Sequence, residues 1–219
     1  MARTLVYIDG FNLYYRALKG TAHKWLNIDA LAQAVLPTAN QVVGIKYYTA
    51  RVSGRTDPTA PARQHAYLRA LESLPLVSIY YGSFLANKKW SGLVQPPEFR
   101  PITSLAAGAP VPQVVYVWKT EEKGSDVNLG VHLVRDAFTG AFDEAAVLTN
   151  DTDLVEPIRI VTQEAGLPVT LLTPVNQAAT QLRAVSTHVR HIAPYIGPCV
   201  FPDTVQLPNG RTTTKPAGW

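Results

Sequence analysis

Short, nearly continuous apolar runs recur along the chain, and polar residues close each of them. They fall at residues 5–8 (Leu-Val-Tyr-Ile), 42–50 (VVGIKYYTA), 76–85 (LVSIYYGSFL), 114–119 (VVYVWK), 145–148 (Ala-Ala-Val-Leu) and 169–173. Their length and their β-branched and aromatic content predict strands. Helical spacing fills the intervals between them. Residues 12–19 form a helical turn, and Asn27 is an N-cap for a helix over 28–36 that Pro37 stops. Residues 61–74 form another helix, with Pro61 tolerated in its first turn. Ser125 caps a helix over 126–138, on which Val127, Val131, Val134 and Phe138 recur every three or four positions. A helix over 154–164 ends at Gly166, and Asn176 caps a last one running to about Val185. Strands separated by helices argue for βαβ units, hence a three-layer α/β/α fold around a mainly parallel central sheet.

Two stretches break the pattern. Residues 87–113 hold Pro96, Pro97, Pro101, Pro110 and Pro112 together with Lys88, Lys89, Trp90 and Arg100, and read as a long loop insertion. Beyond residue 195 prolines and threonines follow without a period, so 196–219 reads as an extended tail to a domain spanning 1–195. A length of 219 residues fits one domain, and 47% hydrophobic against 16% charged residues excludes a disordered chain. The lone Cys199 excludes a disulfide framework and a cysteine-rich zinc site. Met1 is not followed by a signal-peptide pattern, and no apolar run approaches the roughly 18 residues a membrane span needs. A cytoplasmic protein without a membrane partner is therefore expected. The net charge of +4 is mild. With several acids gathered in one cleft, however, the rest of the surface is more basic than that total, which suits a polyanion held by its phosphates.

The candidate chemistry lies where strands stop. The first run ends at Asp9-Gly10-Phe11-Asn12 and the fifth at Thr149-Asn150-Asp151-Thr152-Asp153. In a parallel sheet ligands gather at the carboxyl ends of strands. Acids placed directly after a buried strand are costly unless they face a cleft, a cation or a partner. Each also has a purely structural reading. Asp9 and Asn12 can make local turn hydrogen bonds, Asp151 or Asp153 can cap a helix, and Asp126 can be a favourable first-turn charge. One aspartate suffices for a cap, so the second of the 151/153 pair is left over, and three acidic positions together point to a divalent-metal site. Arg51, Arg55 and Arg63 surround the loop after the second strand, while Lys88, Lys89, Trp90 and Arg100 belong to the long loop. Basic groups with an aromatic hold single-stranded phosphates and stack a base; a solvated surface with a partly buried Trp explains them as well. His65 is expected on the exposed side of its helix, His188 and His191 make no zinc spacing with any cysteine, and Gly44 and Gly82 form no phosphate-binding glycine motif.

The segments VYIDGFNLYY, EEKGSDVNLGVHLVRDA and AAVLTNDTDLVEPIRIV, in this order across residues 3–195, resemble the bacterial NYN (LabA-like) branch of the PIN-like nucleases. The resemblance implies a PIN-like α/β/α fold and Mg²⁺- or Mn²⁺-dependent cleavage of single-stranded RNA, leaving 5′-phosphate and 3′-hydroxyl ends. It makes Asp9 the central metal ligand and Asn12 a substrate or positioning contact, with Asp126, Asp151 and Asp153 completing a catalytic and metal-binding acidic cluster. Arg51, Arg55, Lys88, Lys89 and Trp90 are then the substrate-binding residues. One departure stands out: relatives often carry a further acid six residues after the helix-borne one, where this chain has His132. His132 could also fall on a solvent stripe with Asn128, Arg135 and Asp136. The expected function is a metal-dependent endoribonuclease, with a catalytically weak RNA-binding or regulatory module as the alternative. A phosphatase is disfavoured because Asp9-Gly10-Phe11 lacks the second acid of a strand-one Asp-x-Asp motif. Proteins of this kind often dimerise, and the long loop and the tail are the expected places for a homodimer contact.

Overall fold

The computed structural model describes residues 1–55, 57–99 and 110–219. In chain order its first strands are β1 (Ala2–Asp9), β2 (Asn40–Thr49), β3 (Val77–Tyr81), β4 (Ser83–Gly92) and β5 (Val114–Lys123). They are followed by β6 (Glu144–Leu148), β7 (Val169–Thr173) and β8 (His188–His191). Six of these form one parallel sheet in the order β3-β2-β1-β6-β7-β8. The chain builds outward from β1 to β3, then returns to the other side of β1 and builds outward again from β6. The order therefore reverses between β1 and β6, and in open α/β sheets the ligand crevice opens at that reversal, beyond the strand ends.

The helices are α1 (Gly10–Leu13), which continues into a wider turn over Tyr14–Leu18, α2 (Ile28–Val35), α3 (Ala60–Glu72), α4 (Ser125–Phe138), α5 (Val155–Arg159) and α6 (Thr180–Val185). Every residue of β1 from Val6 to Asp9 is buried. Val6 and Ile8 join one core with Leu31 of α2 and Leu68 and Leu71 of α3, while Tyr7 joins a second core with Leu129 and Leu133 of α4 and Ile158 of α5. The three-layer architecture follows directly: a strand apolar on both faces must be covered on both. Asn27 caps α2 as expected, accepting from the Asp29 and Ala30 amides, and Gly166 ends the 154–164 segment at φ +68.

The structure corrects several expectations. The run over 76–85 is two strands, broken at Gly82. A Cβ at that position would lie 2.3 Å from Glu122 Oε1 and 2.7 Å from the Lys123 carbonyl, so only glycine lets the chain pass. Residues 87–92, expected in the long loop, belong to β4, which pairs antiparallel with β5 from Ser83↔Lys123 to Gly92↔Val114. Residues 87–92 are exposed apart from a half-buried Ser91, so they carry no apolar alternation to read, whereas the expected strand over 114–119 lies within β5. Arg100 and Pro101 lie outside the described residues. The core face of α4 is also not the expected one. Val127, Val131 and Phe138 are exposed, and Leu129, Gly130, Leu133 and Ala137 are buried instead. The helix carries two apolar stripes, and spacing alone does not choose between them. Gly124 at φ +95, not Ser125, is its N-cap. Helix α6 begins at Thr180, with the Ala179 amide held by Asn150 Oδ1 at 2.8 Å, so Asn176 is not its cap.

The segment after 196 is not an extended arm. Phe201, Val205 and Leu207 are buried, and β9 (Thr204–Gln206) pairs antiparallel with β10 (Thr212–Thr214). Trp25 Nε1 donates to the Pro202 carbonyl at 2.9 Å, and Trp219 packs edge-on against Trp25 at 6.3 Å. Each fully buried side chain of this size contributes roughly 1.5–3 kcal/mol, enough to dock a segment whose apolar residues are too scattered to show a period. Among the described residues, no helix is long and apolar enough to cross a membrane.

Candidate active site

β1 runs straight into α1, and Asp9 is the residue at the joint. Its backbone is still extended (φ −72, ψ 101), and its side chain caps the helix, with Oδ1 accepting from the Asn12 amide at 2.9 Å. Its other oxygen accepts from Thr149 Oγ1 at 3.1 Å, at the end of β6. Thr149 Oγ1 in turn accepts from the Asp151 amide at 3.0 Å, and the Asn150 amide donates to Asn12 Oδ1 at 3.0 Å. The two strand ends on either side of the sheet reversal are thus stitched together by side chains. Asp151 caps the single turn Thr152–Leu154, accepting from the Asp153 amide at 3.0 Å.

Across from these ends, α4 presents Asp126 in its first turn. Asp9, Asn12, Asp126 and Asp151 line one cleft of about 430 Å³, walled also by Phe11, Tyr15 and Phe84. Asp153 is exposed and opens onto a neighbouring groove that Asp126 shares. A further carboxylate in the cleft, Glu122, was missed by the sequence reading. Its Oε1 accepts from the Ser125 amide at 3.1 Å and so serves the start of α4. Strand parity carried the signal. On β5, Lys119, Glu121 and Lys123 share a face and pair with one another, which leaves Glu122 pointing the other way.

The cluster is electrostatically loaded. Asp9 is 3% exposed, and burial pushes its carboxyl up to about 7. The Asn12 and Thr149 hydrogen bonds oppose that rise, and the negative charges of Asp126 and Asp151 add to it. Asp126 is pushed up to about 6, first by burial and then by Asp151, Glu122 and Asp153. The donors are all hard oxygens, the set that suits Mg²⁺ or Mn²⁺, and such an ion needs only a few carboxylates beside water and phosphate. Among the described residues, no three His, Cys, Asp or Glu side chains converge into a formed metal site. The residues fit a hard cation as a partial shell, not as a closed cage.

His132 is not part of this cleft and is not on a solvent stripe. Its Nδ1 lies 3.0 Å from the Tyr48 hydroxyl, and its ring meets the Tyr80 ring at 4.7 Å. Burial, followed by Arg135 and Lys46, holds its pKa below the ordinary histidine value. Asp136, expected beside it in solvent, is 4% exposed and takes a hydrogen bond from the Tyr7 hydroxyl at 2.7 Å, with Lys46 and Arg135 as ion-pair partners. This face of α4 turns toward the sheet, where Tyr7 of β1 and Tyr48 of β2 give the polar atoms partners and Tyr80 of β3 meets the His132 ring.

The proposed substrate contacts gather on and around the β4–β5 ribbon. The Arg55 guanidinium sits 3.9 Å over the Trp118 ring and Lys88 lies 5.0 Å from the same ring. Trp90, 67% exposed, packs on Tyr116 at 5.1 Å, and Lys89 is exposed beside it. Arg51 lies over Tyr81 at 4.8 Å. Arg63 is occupied by Asp57 and Thr59. Trp118 and Tyr116 had not been singled out from the sequence, and they supply the aromatic half of this surface.

Comparison with known proteins adds three findings. Residues 3–193 match the family described as the NYN domain. A curated relative, 6-hydroxy-3-succinoylpyridine 3-monooxygenase HspA of Pseudomonas putida, is 28% identical over 99% of this chain and 75% of its own length. A solved structure of a protein of unknown function from Vibrio parahaemolyticus superposes with a TM-score of 0.53 at 16% identity, covering 87% of this chain and 93% of that one. That likeness is one of fold.

Proposed function

This chain belongs to the NYN domain family, a family of nuclease-like fold, and on that premise we propose that it is a metal-dependent endoribonuclease cutting single-stranded RNA. The observation that carries the reading is the set of Asp9, Asp126, Asp151 and Glu122 in one cleft at the sheet reversal, with Asp9 buried among like charges. Asp9, Asp126 and Asp151 would hold Mg²⁺ or Mn²⁺, with Asp153 and Glu122 at the margin. When bound, the ion supplies a water of lowered pKa and neutralises charge developing on the phosphate. The chain's own side chains do the rest. Thr149 and the Asn12 amide fix the Asp9 carboxylate, and the Asn12 side-chain NH₂, whose oxygen is already taken by Asn150, is left to donate to a phosphate oxygen. Arg55, Lys88 and Lys89 meet phosphates along the ribbon, where Trp90 and Trp118 offer faces for unpaired bases.

The test is cleavage of end-labelled single-stranded RNA with Mg²⁺ or Mn²⁺, yielding 5′-phosphate products. Asp9→Asn and Asp151→Asn should abolish it while circular dichroism stays unchanged. RNA binding without metal-dependent cleavage, unaffected by either substitution, would instead support a regulatory binding module.

A second reading follows from the Pseudomonas putida relative, whose similarity runs along 99% of this chain. Under it the site acts on a hydroxypyridine. Its signature would be dioxygen uptake dependent on that compound and on an added two-electron reductant, with RNA left intact.

A further inference from the structure

Beside the acidic cleft lies a second cavity, of about 340 Å³, within the size range of small-molecule sites. We propose that it is a base-binding subsite, holding one unpaired nucleotide of the RNA next to the phosphate presented to the acids. The proposal rests on the endoribonuclease reading and adds a place where that enzyme would grip its substrate.

Position comes first. Phe11 and Tyr15 line both the cavity and the acidic cleft, so the two adjoin. Gly10 and Tyr47 form the partition. A Cβ at Gly10 would stand 2.7 Å from the Tyr47 hydroxyl, so only glycine brings that hydroxyl against the backbone directly after Asp9.

The walls are the second argument. Tyr14, Tyr15, Tyr47, Tyr67 and Trp219 come from four separate parts of the chain and converge here. Flat apolar faces suit a planar heterocycle, because every nucleobase has a π-face to stack. Cations stand at the same walls: Lys19 lies 5.0 Å over the Tyr15 ring, and Lys24 lies 6.0 Å from the Trp219 ring. Neither is in an ion pair among the described residues, whereas Arg63 is held by Asp57. Two ammonium groups without a carboxylate partner, Lys24 donating to the Gly218 carbonyl at 3.1 Å, stand beside an aromatic slot and match a base with its phosphate attached.

The third argument is a polar group without a partner. Tyr47 is 6% exposed, and its hydroxyl makes no hydrogen bond among the described residues. Gln64, also at the wall, is used up, accepting from the Val52 amide and donating to the Ala50 carbonyl. Among the described residues no fully buried side-chain oxygen lacks a partner, so this hydroxyl is open to water at the cavity wall, and the edge of a base entering the cavity would take that water's place.

The experiment measures binding of the full chain in EDTA, so that cleavage plays no part. The probes are the four 5′-mononucleotides, a short single-stranded oligoribonucleotide and pyridine-3-carboxylate, followed by tryptophan fluorescence and calorimetry. Ser53 is exposed at the cavity wall, and Ser53→Trp fills the space without touching the core. It should weaken oligonucleotide binding by about tenfold, the scale of one lost base stack. Tyr47→Phe keeps the packing and should change the preference among the four bases with an unaltered melting temperature. Unchanged oligonucleotide affinity in Ser53→Trp together with an unchanged base preference in Tyr47→Phe would overturn the proposal. Binding of pyridine-3-carboxylate that Ser53→Trp abolishes, with no nucleotide binding, would overturn it in favour of a small aromatic acid. Pocket-dependent nucleotide binding by a protein that never cuts RNA would support the subsite while defeating the nuclease reading.

Discussion

Replacing Asp9 by asparagine should stabilise the metal-free protein while abolishing the proposed RNA cleavage. Asp9 sits at 3% exposure in a cluster of acids, and its carboxyl is pushed up to about 7 from an ordinary value near 3.9. The folded chain therefore binds this proton more tightly than the unfolded chain does. Between about pH 4 and pH 7 folding takes up protons, so stability falls as pH rises through that window and stays reduced above it. A tenfold change in proton affinity is worth about 1.4 kcal/mol, so the rise to about 7 corresponds to about 4 kcal/mol of destabilisation at pH 8. Coupling to Asp126, itself pushed up to about 6, spreads part of this over the pair. Asparagine removes the charge and keeps an oxygen for the Asn12 amide, which Asp9 accepts at 2.9 Å. For a chain of this length about 1 kcal/mol moves the melting temperature by roughly 2–4 °C. Asp9→Asn should therefore melt about 5–10 °C higher than the parent at pH 8 in EDTA, with the gap closing toward pH 4. Differential scanning calorimetry across that pH range is the assay. A variant that melts at or below the parent at pH 8, or a parent whose stability is flat from pH 5 to 8, would refute the electrostatic reading of the cleft.

Other consequences can be checked on the same material. Mg²⁺ or Mn²⁺ at 100 times its dissociation constant should stabilise the parent by about 2.7 kcal/mol, seen as a concentration-dependent melting shift that Asp151→Asn removes. Lys46→Met leaves the Asp136 carboxylate, 4% exposed, with Arg135 and the Tyr7 hydroxyl but without its ammonium, and should cost about 1–3 kcal/mol in urea unfolding. Gly82→Ala drives a methyl to 2.3 Å from Glu122 and should cost roughly 1–3 kcal/mol. It should also lower RNA cleavage, because Glu122 holds the start of α4.

What the chain discloses in advance follows from how each segment is buried. β1 and β6 lie inside the sheet with both faces covered, so their residues read as unbroken apolar runs, and the acids ending them stand out. In the β4–β5 ribbon the run over 114–119 shows as a strand, but 87–92 is exposed on both faces and leaves no such trace, which is why it passed for loop. α4 offers Val127, Val131, Val134 and Phe138 as readily as Leu129, Leu133 and Ala137. The choice is made by Pro157, which lies 2.8 Å from where a Gly130 Cβ would be, and by the tyrosines facing His132. Scattered residues such as Phe201, Val205 and Trp219 acquire meaning only once Trp25 and Tyr67 are placed to receive them. Long-range packing decides all of these, and no local period encodes it.

The structural and chemical readings of the strand-end acids turn out to be compatible, and their coexistence has a physical consequence. Asp9 caps α1 and Asp151 caps the turn after β6, as a bland reading of each would have it. The same hydrogen bonds fix where the carboxylates stand. Donors from Asn12 and Thr149 favour the charged form of Asp9, while burial and the facing Asp126 and Asp151 oppose it, and the opposing influences win. The backbone therefore holds the acids in place without help, at an energy a cation would lower. Such a site is preorganised by its caps, unlike a zinc module that folds only around its metal. A cation entering this cleft would relieve existing repulsion instead of nucleating the fold, so folding and metal loading should be separable here, with the metal-free chain folded and waiting.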